Sequence, residues 1–431
     1  MSYNRIVKPR MYMDRLSFDL ATGQRTVSNY TLTNDAASPG TVTPSSGAVE
    51  DLFDLRPSNF ITVAADTQAF RINIDTGASS DTVAETNYLA ILGHNLEYAN
   101  AVFKFEYSDN AVFATHTGTN VEFQTPSTDY AIHGTGGSDI FELFEVGNKV
   151  TVSGSTSNNG TFTILSKPDN DTLYVSESIT DESAGDTVTV TTVTNVTTTG
   201  SHTKVINAAA DAAAGWIDPA NNGWTLITWT DVGTTGTNQY KRITIEDDAG
   251  GAGSDFDQPV QLGAIMMGEF IDFPNSPDLD VGFSVDYDGT KLINSVGGNS
   301  YAQASHLGSP AWAKSNPWVL VTSAVENQNS YQSRAYGRRK YDMSFSYIAD
   351  TNLFQSNMRA GHGAMVDGSD LYSQFYHKSL GQHLPFLFTI DGSVADSEGD
   401  YGLYRLADGK MKTKQVAHRA WNTSLSLVES W

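Results

Sequence analysis

The sequence predicts an all-β protein, mainly antiparallel, and three observations predict it. Hydrophobic residues reach 39% and aromatic residues 11% while charged residues are only 17%, so the chain has material for real cores and too much of it to be disordered. The polar remainder is rich in Thr, Ser, Asn and Gly. Thr and aromatic rings suit pleated, half-buried surfaces, whereas Gly, Asn and Asp suit tight turns. Short runs of alternating apolar residues also recur between explicit turn signals. With 431 residues, about three domains are expected at roughly 150 residues each.

Taken in order, residues 1–50 open on an alternation (Tyr12, Met13, Leu16, Phe18) and pass into NDAASPGTVTPSSGAVED, which reads as an N-terminal strand followed by an extended arm without a core of its own. Residues 51–111 carry the strand-like runs FITVAA, FRINID, YLAILGHNL and AVFKFEYS. Residues 112–203 change composition: GNKVTVSGS, GTFTILS, DTLYVSE and DTVTVTTVT alternate with the turn signals Ser157-Asn158-Asn159-Gly160 and Pro168-Asp169-Asn170-Asp171. This stretch predicts a small inserted β-barrel or sandwich. VTVTTVTNVTTT is compatible with a low-complexity linker, but the recurrence of Val188, Val190, Val193 and Val196 favours strand. Residues 204–273 return to the earlier style, with Trp224, Leu226, Ile227 and Trp229 on one strand and Tyr240, Ile243 and Ile245 on another. Residues 274–431 continue it in FSVDYDG, RRKYDMSFSYI, HLPFLFTID, YGLYRLAD and TSLSLVESW. The one helix expected is SDLYSQFYHKSLG, capped by Ser369 or Asp370, with Leu371, Phe375 and Leu380 on one stripe and Gly381 as its stop. No fixed-period repeat points to a solenoid or propeller.

Charge narrows the partners. Lys and Arg number 26 against 49 Asp and Glu, a net of −23. A nucleic-acid binder needs a basic footprint and a membrane-surface protein a polybasic one, so neither is expected. No apolar run reaches the roughly 18 residues that span a bilayer, and MSYNRIVKPRMYMDR has no signal-peptide core. The absence of cysteine excludes disulfides, thiolate metal sites and cysteine nucleophiles, and agrees with assembly in a reducing cytoplasm.

Catalytic signatures are missing: no nucleophile elbow, H-E-x-x-H helix, phosphate-binding loop or dinucleotide fingerprint occurs. The nine histidines are scattered and read as surface or edge residues. Glu246, Asp247, Asp248, Asp255 and Asp257 bracket AGGAGS; such a loop would suit calcium, with Asp247, Asp248, Asp255 and Asp257 as candidate ligands, or is simply a solvated turn. No other cofactor is expected. Carboxylate pairs for glycoside hydrolysis are not identifiable, because their separation is spatial. Trp224 and Trp229 read as core, while Trp216 in AAAGWIDPANNGW is the candidate for stacking on a glycan.

Two stretches carry a family resemblance. NYLAILGHNLEYANAVFKFEYSDN (87–110) resembles the strand–turn–strand of galactose-binding-like jelly rolls in bacteriophage tail proteins, and YKRITIEDDAGGAGSDFDQPVQLGAIMMGEFIDFP (240–274) resembles their closing strands. SVGGNSY (295–301), RRKYDMSFSYIAD, HLPFLFTIDG and MKTKQVAHRAWNTSLSLVE are similar, in the same order, to the C-terminal β domain of the baseplate and distal-tail group. About half of the chain is covered. The resemblance implies a jelly-roll β-sandwich from 51–111 plus 204–273, interrupted by the 112–203 insertion, then a distal-tail-like β domain over 274–431. It implies a non-enzymatic structural protein of the virion tail, at the tail tip or baseplate, assembled in the host cytoplasm, and it supplies no catalytic residue. A glycan-binding receptor-recognition protein is the second reading and a polysaccharide-degrading enzyme the third. Basic residues concentrated late in the chain (Arg334, Arg338, Arg339, Lys340, Lys410, Lys412, Lys414, Arg419) against an acidic remainder predict head-to-tail contacts closing a cyclic homo-oligomer, a hexamer or trimer, beside other tail proteins.

Overall fold

The computed structural model describes residues 8–34, 40–57, 59–77, 86–126, 129–197, 202–206, 208–212, 215–219, 223–229, 238–248, 254–286, 290–304, 338–354, 370–392 and 400–430. The fold is all-β. Among the described residues, helical structure is confined to Arg15–Ala21, Asp350–Leu353, a π-helical turn at Tyr372–His377 and short 3-10 turns.

A strand of alternating polarity must bury one face, and here two sheets face each other to do so. The first runs His202–Ile206, Gly223–Trp229, Tyr88–His94, Ala264–Asp272, Arg10–Asp14, Phe386–Thr389, Tyr401–Leu406, Ala420–Glu429, Arg338–Ala349 and Gly282–Asp286, with Lys412–Ala417 also on Ala420–Glu429, eleven strands in all. The second runs Ala208–Ala212, Trp216–Pro219, Ala101–Ser108, Tyr240–Asp247, Phe70–Asp75 and Tyr30–Asn34, with Val193–Asn195 also on Ala101–Ser108. Leu89, Ile91, Ile227, Trp229, Ile265 and Met267 of the first sheet meet Phe70, Ile72, Phe103, Phe105, Ile243 and Ile245 of the second in one buried core. Between Phe70 and Asp272 the chain crosses repeatedly from one sheet to the other, with Ala208–Ala212 and Trp216–Pro219 paired as neighbours within the second sheet, the jelly-roll manner of closing a sandwich.

The motif LGHN is a lock in this sandwich. Gly93 has φ +69, and a Cβ there would sit 2.3 Å from the Pro57 carbonyl. Buried Asn95 accepts from the Gln261 amide at 2.7 Å and donates to the Pro259 carbonyl at 3.0 Å. His94 accepts from the Leu96 amide at Nδ1 (3.4 Å), so Nε2 donates to the Thr225 hydroxyl at 2.9 Å.

The first strand is central. Arg10–Asp14 pairs antiparallel with Ala264–Asp272 on one side and Phe386–Thr389 on the other. It therefore joins the jelly-roll strands to the C-terminal strands in one continuous sheet. Met11 and Met13 enter the C-terminal core with Phe345, Phe375, Phe388 and Leu425, while Tyr12, on the opposite face, packs with Tyr88, Trp224 and Tyr401. The expected alternation stops at Asp14, whose carboxylate accepts from the Ser17 amide at 2.9 Å and caps the helix Arg15–Ala21. Leu16 and Phe18 are thus buried on a helix rather than a strand.

The stretch expected to be an arm without a core does have one. Tyr30–Asn34 is the edge strand of the second sheet, burying Tyr30 and Leu32 against Phe70–Asp75, and the 3-10 turn Val49–Phe53 buries Leu52 and Phe53. Of the polar residues that suggested an arm, Thr41, Thr43, Ser45, Ser46 and Glu50 are exposed, and residues 35–39 lie outside the described residues.

The inserted module has a separate core of Phe123, Phe141, Phe144, Phe162, Ile164, Leu173 and Val190. Its seven strands run Thr115–Gly118, Val188–Thr191, Lys149–Ser153, Gly160–Asp169, Thr172–Val175, Tyr130–Gly134 and Val121–Gln124, and the path does not close into a barrel. Both expected turns are present. Asp169 accepts from the Asp171 amide at 3.0 Å, and Glu182 accepts from Ser155, Asn158 and the amides of Thr156 and Ser157. Val193–Asn195, grouped with the insertion by composition, pairs with Ala101–Ser108 in register Val193↔Ser108, so the two stems of the module stand side by side.

The expected C-terminal helix is a π-helical turn over Tyr372–His377, with Ser373 donating to Asp370 through its amide (3.0 Å) and hydroxyl (2.9 Å). Ser369 lies outside the described residues. Leu371 and Phe375 are buried, whereas Leu380 is left half-buried at φ +50 where the chain turns away.

Candidate functional site

The outer face of the second sheet is where the chain gathers polar chemistry. Period-2 geometry sends Phe70, Ile72 and Ile74 inward and leaves Arg71, Asn73 and Asp75 on the outside; the neighbouring edge strand likewise turns Thr31 and Thr33 outward. Register then places Glu106 opposite Arg242. Arg242 donates from Nε (3.0 Å) and Nη2 (2.7 Å) to Glu106 Oε2, both side chains largely buried. Lys104 Nζ stands 3.4 Å from Glu106 Oε1 and 4.8 Å over the Trp216 ring, while the Arg242 guanidinium lies 4.2 Å over the ring of Phe113. Trp216, Lys104, Glu106, Arg242 and Phe113 form one ladder across the face, in the order ring, cation, anion, cation, ring. Such cation–ring contacts contribute about 0.5–2 kcal/mol each, and the enclosed ion pair would cost more if one partner were removed than it contributes intact.

Where Phe113 leads into the inserted module, a cleft of about 620 Å³ opens between module and sheet. Thr31, Thr33, Arg71, Asn73 and Asp75 form its floor, and Phe113, Leu143 and Tyr240 its sides. Asn73 Nδ2 donates to Thr33 Oγ1 at 2.9 Å, and Asp75 Oδ1 accepts from the Gly77 amide and Gln239 Nε2, both at 2.8 Å, so the floor is held in place. Burial, and then the nearby Asp75 carboxylate, push the Tyr240 phenol up, which keeps it a donor near neutrality. Leu143 remains 52% exposed, an apolar side chain with little to cover it.

Residues singled out in the sequence fall as follows. Trp216 is half-buried under Lys104 rather than a bare stacking platform, because the strand Trp216–Pro219 joins the second sheet and brings the ring against Ala101–Ser108. Trp224 and Trp229 are core, 1% and 5% exposed. The acidic loop does not assemble: Asp247 is buried and accepts from Asn100 at 3.1 Å, Asp255 accepts from Gln68 at 3.3 Å, and Asp248 and Asp257 are exposed. Among the described residues no group of three or more His, Asp or Glu side chains converges to hold a metal ion; Asp247 and Asp255 tether the loop ends separately, and residues 249–253 lie outside the described residues. Four of the late basic residues have carboxylate partners within the chain. Arg339 makes a buried pair with Glu429 (2.7 Å) and donates to the Tyr401 carbonyl; Lys340 pairs with Asp286, Lys412 with Asp408 and Arg419 with Asp350. Arg338 is half-buried, and Lys410 and Lys414 are exposed. Arg334 lies outside the described residues. Arg339 is thus enclosed, whereas Lys340, Lys412 and Arg419 make their pairs at the surface, with side chains 40%, 68% and 60% exposed.

Sequence reasoning missed the cleft. The outward alternation of FRINID was readable, but nothing in the sequence says that the inserted module leans over that strand. Comparison with known proteins found no matching family model, curated protein or solved structure.

Proposed function

We propose that the protein is a structural, non-enzymatic component of the tail tip or baseplate of a tailed bacteriophage, forming a cyclic homo-oligomer and joining neighbouring tail proteins. The observation that carries this reading is the continuous eleven-stranded sheet. A single hydrogen-bonded sheet that runs through two cores, closed at its centre by the chain's own first strand, transmits force and position between its ends with little give, which suits a connector. The segments that resemble tail proteins fall on this frame: LGHN ties the strand Tyr88–His94 to its neighbour Gly223–Trp229 and to the strand Val260–Leu262, and RRKYDMSFSYIAD pairs with the closing strand along Lys340↔Val428 to Phe345↔Thr423. Exposed apolar side chains concentrate between 279 and 301: Leu279 ahead of the outermost strand Gly282–Asp286, Phe283 and Val285 on it, and Leu292, Ile293 and Tyr301 on the separate hairpin of Thr290–Asn294 and Ser300–Ala304. An open sheet edge with such side chains is a surface that assembly would cover.

Electron microscopy of intact phage particles labelled with an antibody against this chain tests the proposal. Label confined to one end of the tail is the expected result. Particles that carry no label, while the same antibody recognises the chain in lysates of infected cells, would overturn it.

A further inference from the structure

We propose that the cleft between the inserted module and the second sheet is a binding site for a short, neutral oligosaccharide. The proposal rests on the cleft alone and does not require the tail assignment. Its volume, about 620 Å³, lies within the range of small-molecule sites, roughly 300–1,000 Å³.

The lining decides the ligand class. Sugar hydroxyls both donate and accept, and the floor offers both kinds of group at fixed positions: hydroxyls from Thr31 and Thr33, an amide from Asn73, a carboxylate from Asp75 and a guanidinium from Arg71. Asn73 is held by Thr33, and Asp75 by Gln239 and the Gly77 amide, so these groups carry little ordering cost into binding. A pyranose also has apolar C–H faces, and Phe113, Tyr240 and the half-exposed Leu143 stand at the sides to meet them. Charge argues against the competitors. Asp75 stands in the same floor as Arg71, Arg242 is committed to Glu106, and the buried Lys241 ammonium donates to the Asn238 carbonyl. An anion would meet the Asp75 carboxylate, and a nucleic acid would meet a chain of net charge −23. The walls come from two separately folded parts, so the inserted module would complete the site rather than merely decorate a loop.

The experiment uses the full chain on an array of neutral and acidic bacterial oligosaccharides, followed by titration of the strongest neutral sugar. Three variants accompany it: Asn73→Ala, which removes a floor amide; Leu143→Asp, at a position too exposed to threaten folding; and Trp216→Ala, at the far end of the ladder. Neutral sugars should bind. Asn73→Ala and Leu143→Asp should each weaken binding about tenfold or more, the loss of one good contact, with unchanged melting, and Trp216→Ala should leave binding as it was. An empty array, binding of acidic sugars only, full binding by Leu143→Asp, or loss of binding in Trp216→Ala alone would each overturn the proposal.

Discussion

Two buried titratable residues make acid stability a residue-scale question. His94 sits wholly buried between the Thr225 hydroxyl and the Leu96 amide, and desolvation lowers its pKa from 6.5 to about 3. As pH falls below 6.5 the unfolded chain takes up a proton that the folded chain refuses, so this stability is present above pH 6.5 and lost on acidification. Asp14 runs the other way: burial raises its pKa from 3.8 to about 6 despite its amide donors Ser17 and Met267. The folded chain then holds the proton more tightly, and that contribution is lost as pH rises through 6. Between pH 4 and 6 the two oppose each other at about 1.4 kcal/mol per pH unit each. Denaturant midpoints across this window should therefore rise on acidification in His94→Gln relative to the parent, and fall more steeply in Asp14→Asn; parallel profiles for all three would contradict the assignment. The tryptophans divide in the same physical terms. Trp229→Ala should cost about 3–5 kcal/mol as a core truncation. Trp216→Ala, losing one cation–ring contact, should cost about 1 kcal/mol or less, and thermal melts compare the two directly.

At the scale of elements, the inserted module and the first strand behave as opposites. The module has its own core, and its stems meet at Ser108 and Val193. Replacing residues 109–192 with a short Gly/Ser linker should leave a soluble protein with a cooperative melt, provided Val193–Asn195, buried Val196 and Thr197 stay to cover Ala101–Ser108. An insoluble product would show that the module supports the sandwich. The strand Arg10–Asp14 is short, yet it sits between two strands and contributes to two cores. Deleting residues 1–14 should abolish cooperative melting and drive aggregation, because two strand edges and the pocket of Tyr12 are laid open at once. Size-exclusion and melting profiles of that truncation give the answer. The existence of most strands was legible from alternation and turn letters, as in FRINID and the Ser157–Gly160 turn. The helix at Arg15–Ala21 was not, since Leu16 and Phe18 alternate as well as they stack, and only the Asp14 cap decides between the two.

At the scale of the whole molecule, the eleven-stranded sheet ends on the exposed strand Gly282–Asp286, and assembly should follow from that edge. Because Arg339, Lys340, Lys412 and Arg419 are paired within the subunit, contacts between copies should rest chiefly on the apolar segment 279–301 and depend little on salt. Light scattering should then report an oligomer at both low and moderate salt, dispersed to monomers by Phe283→Glu with Leu292→Glu at unchanged melting temperature. A monomer at every concentration would remove the ring. The sequence by itself determined the all-β class, the presence of a compositionally distinct inserted module, the core roles of Trp224 and Trp229 and the turns, because each depends on local periodicity or on the conformational preference of a few neighbouring residues. Only the tertiary structure decided that the first strand would be central, that Arg339 would be enclosed against Glu429, that the carboxylates Asp247, Asp248, Asp255 and Asp257 would stand apart, and that a polar cleft would form beneath the module. Those outcomes depend on register and on contacts between residues hundreds of positions apart, which one-dimensional patterning does not encode.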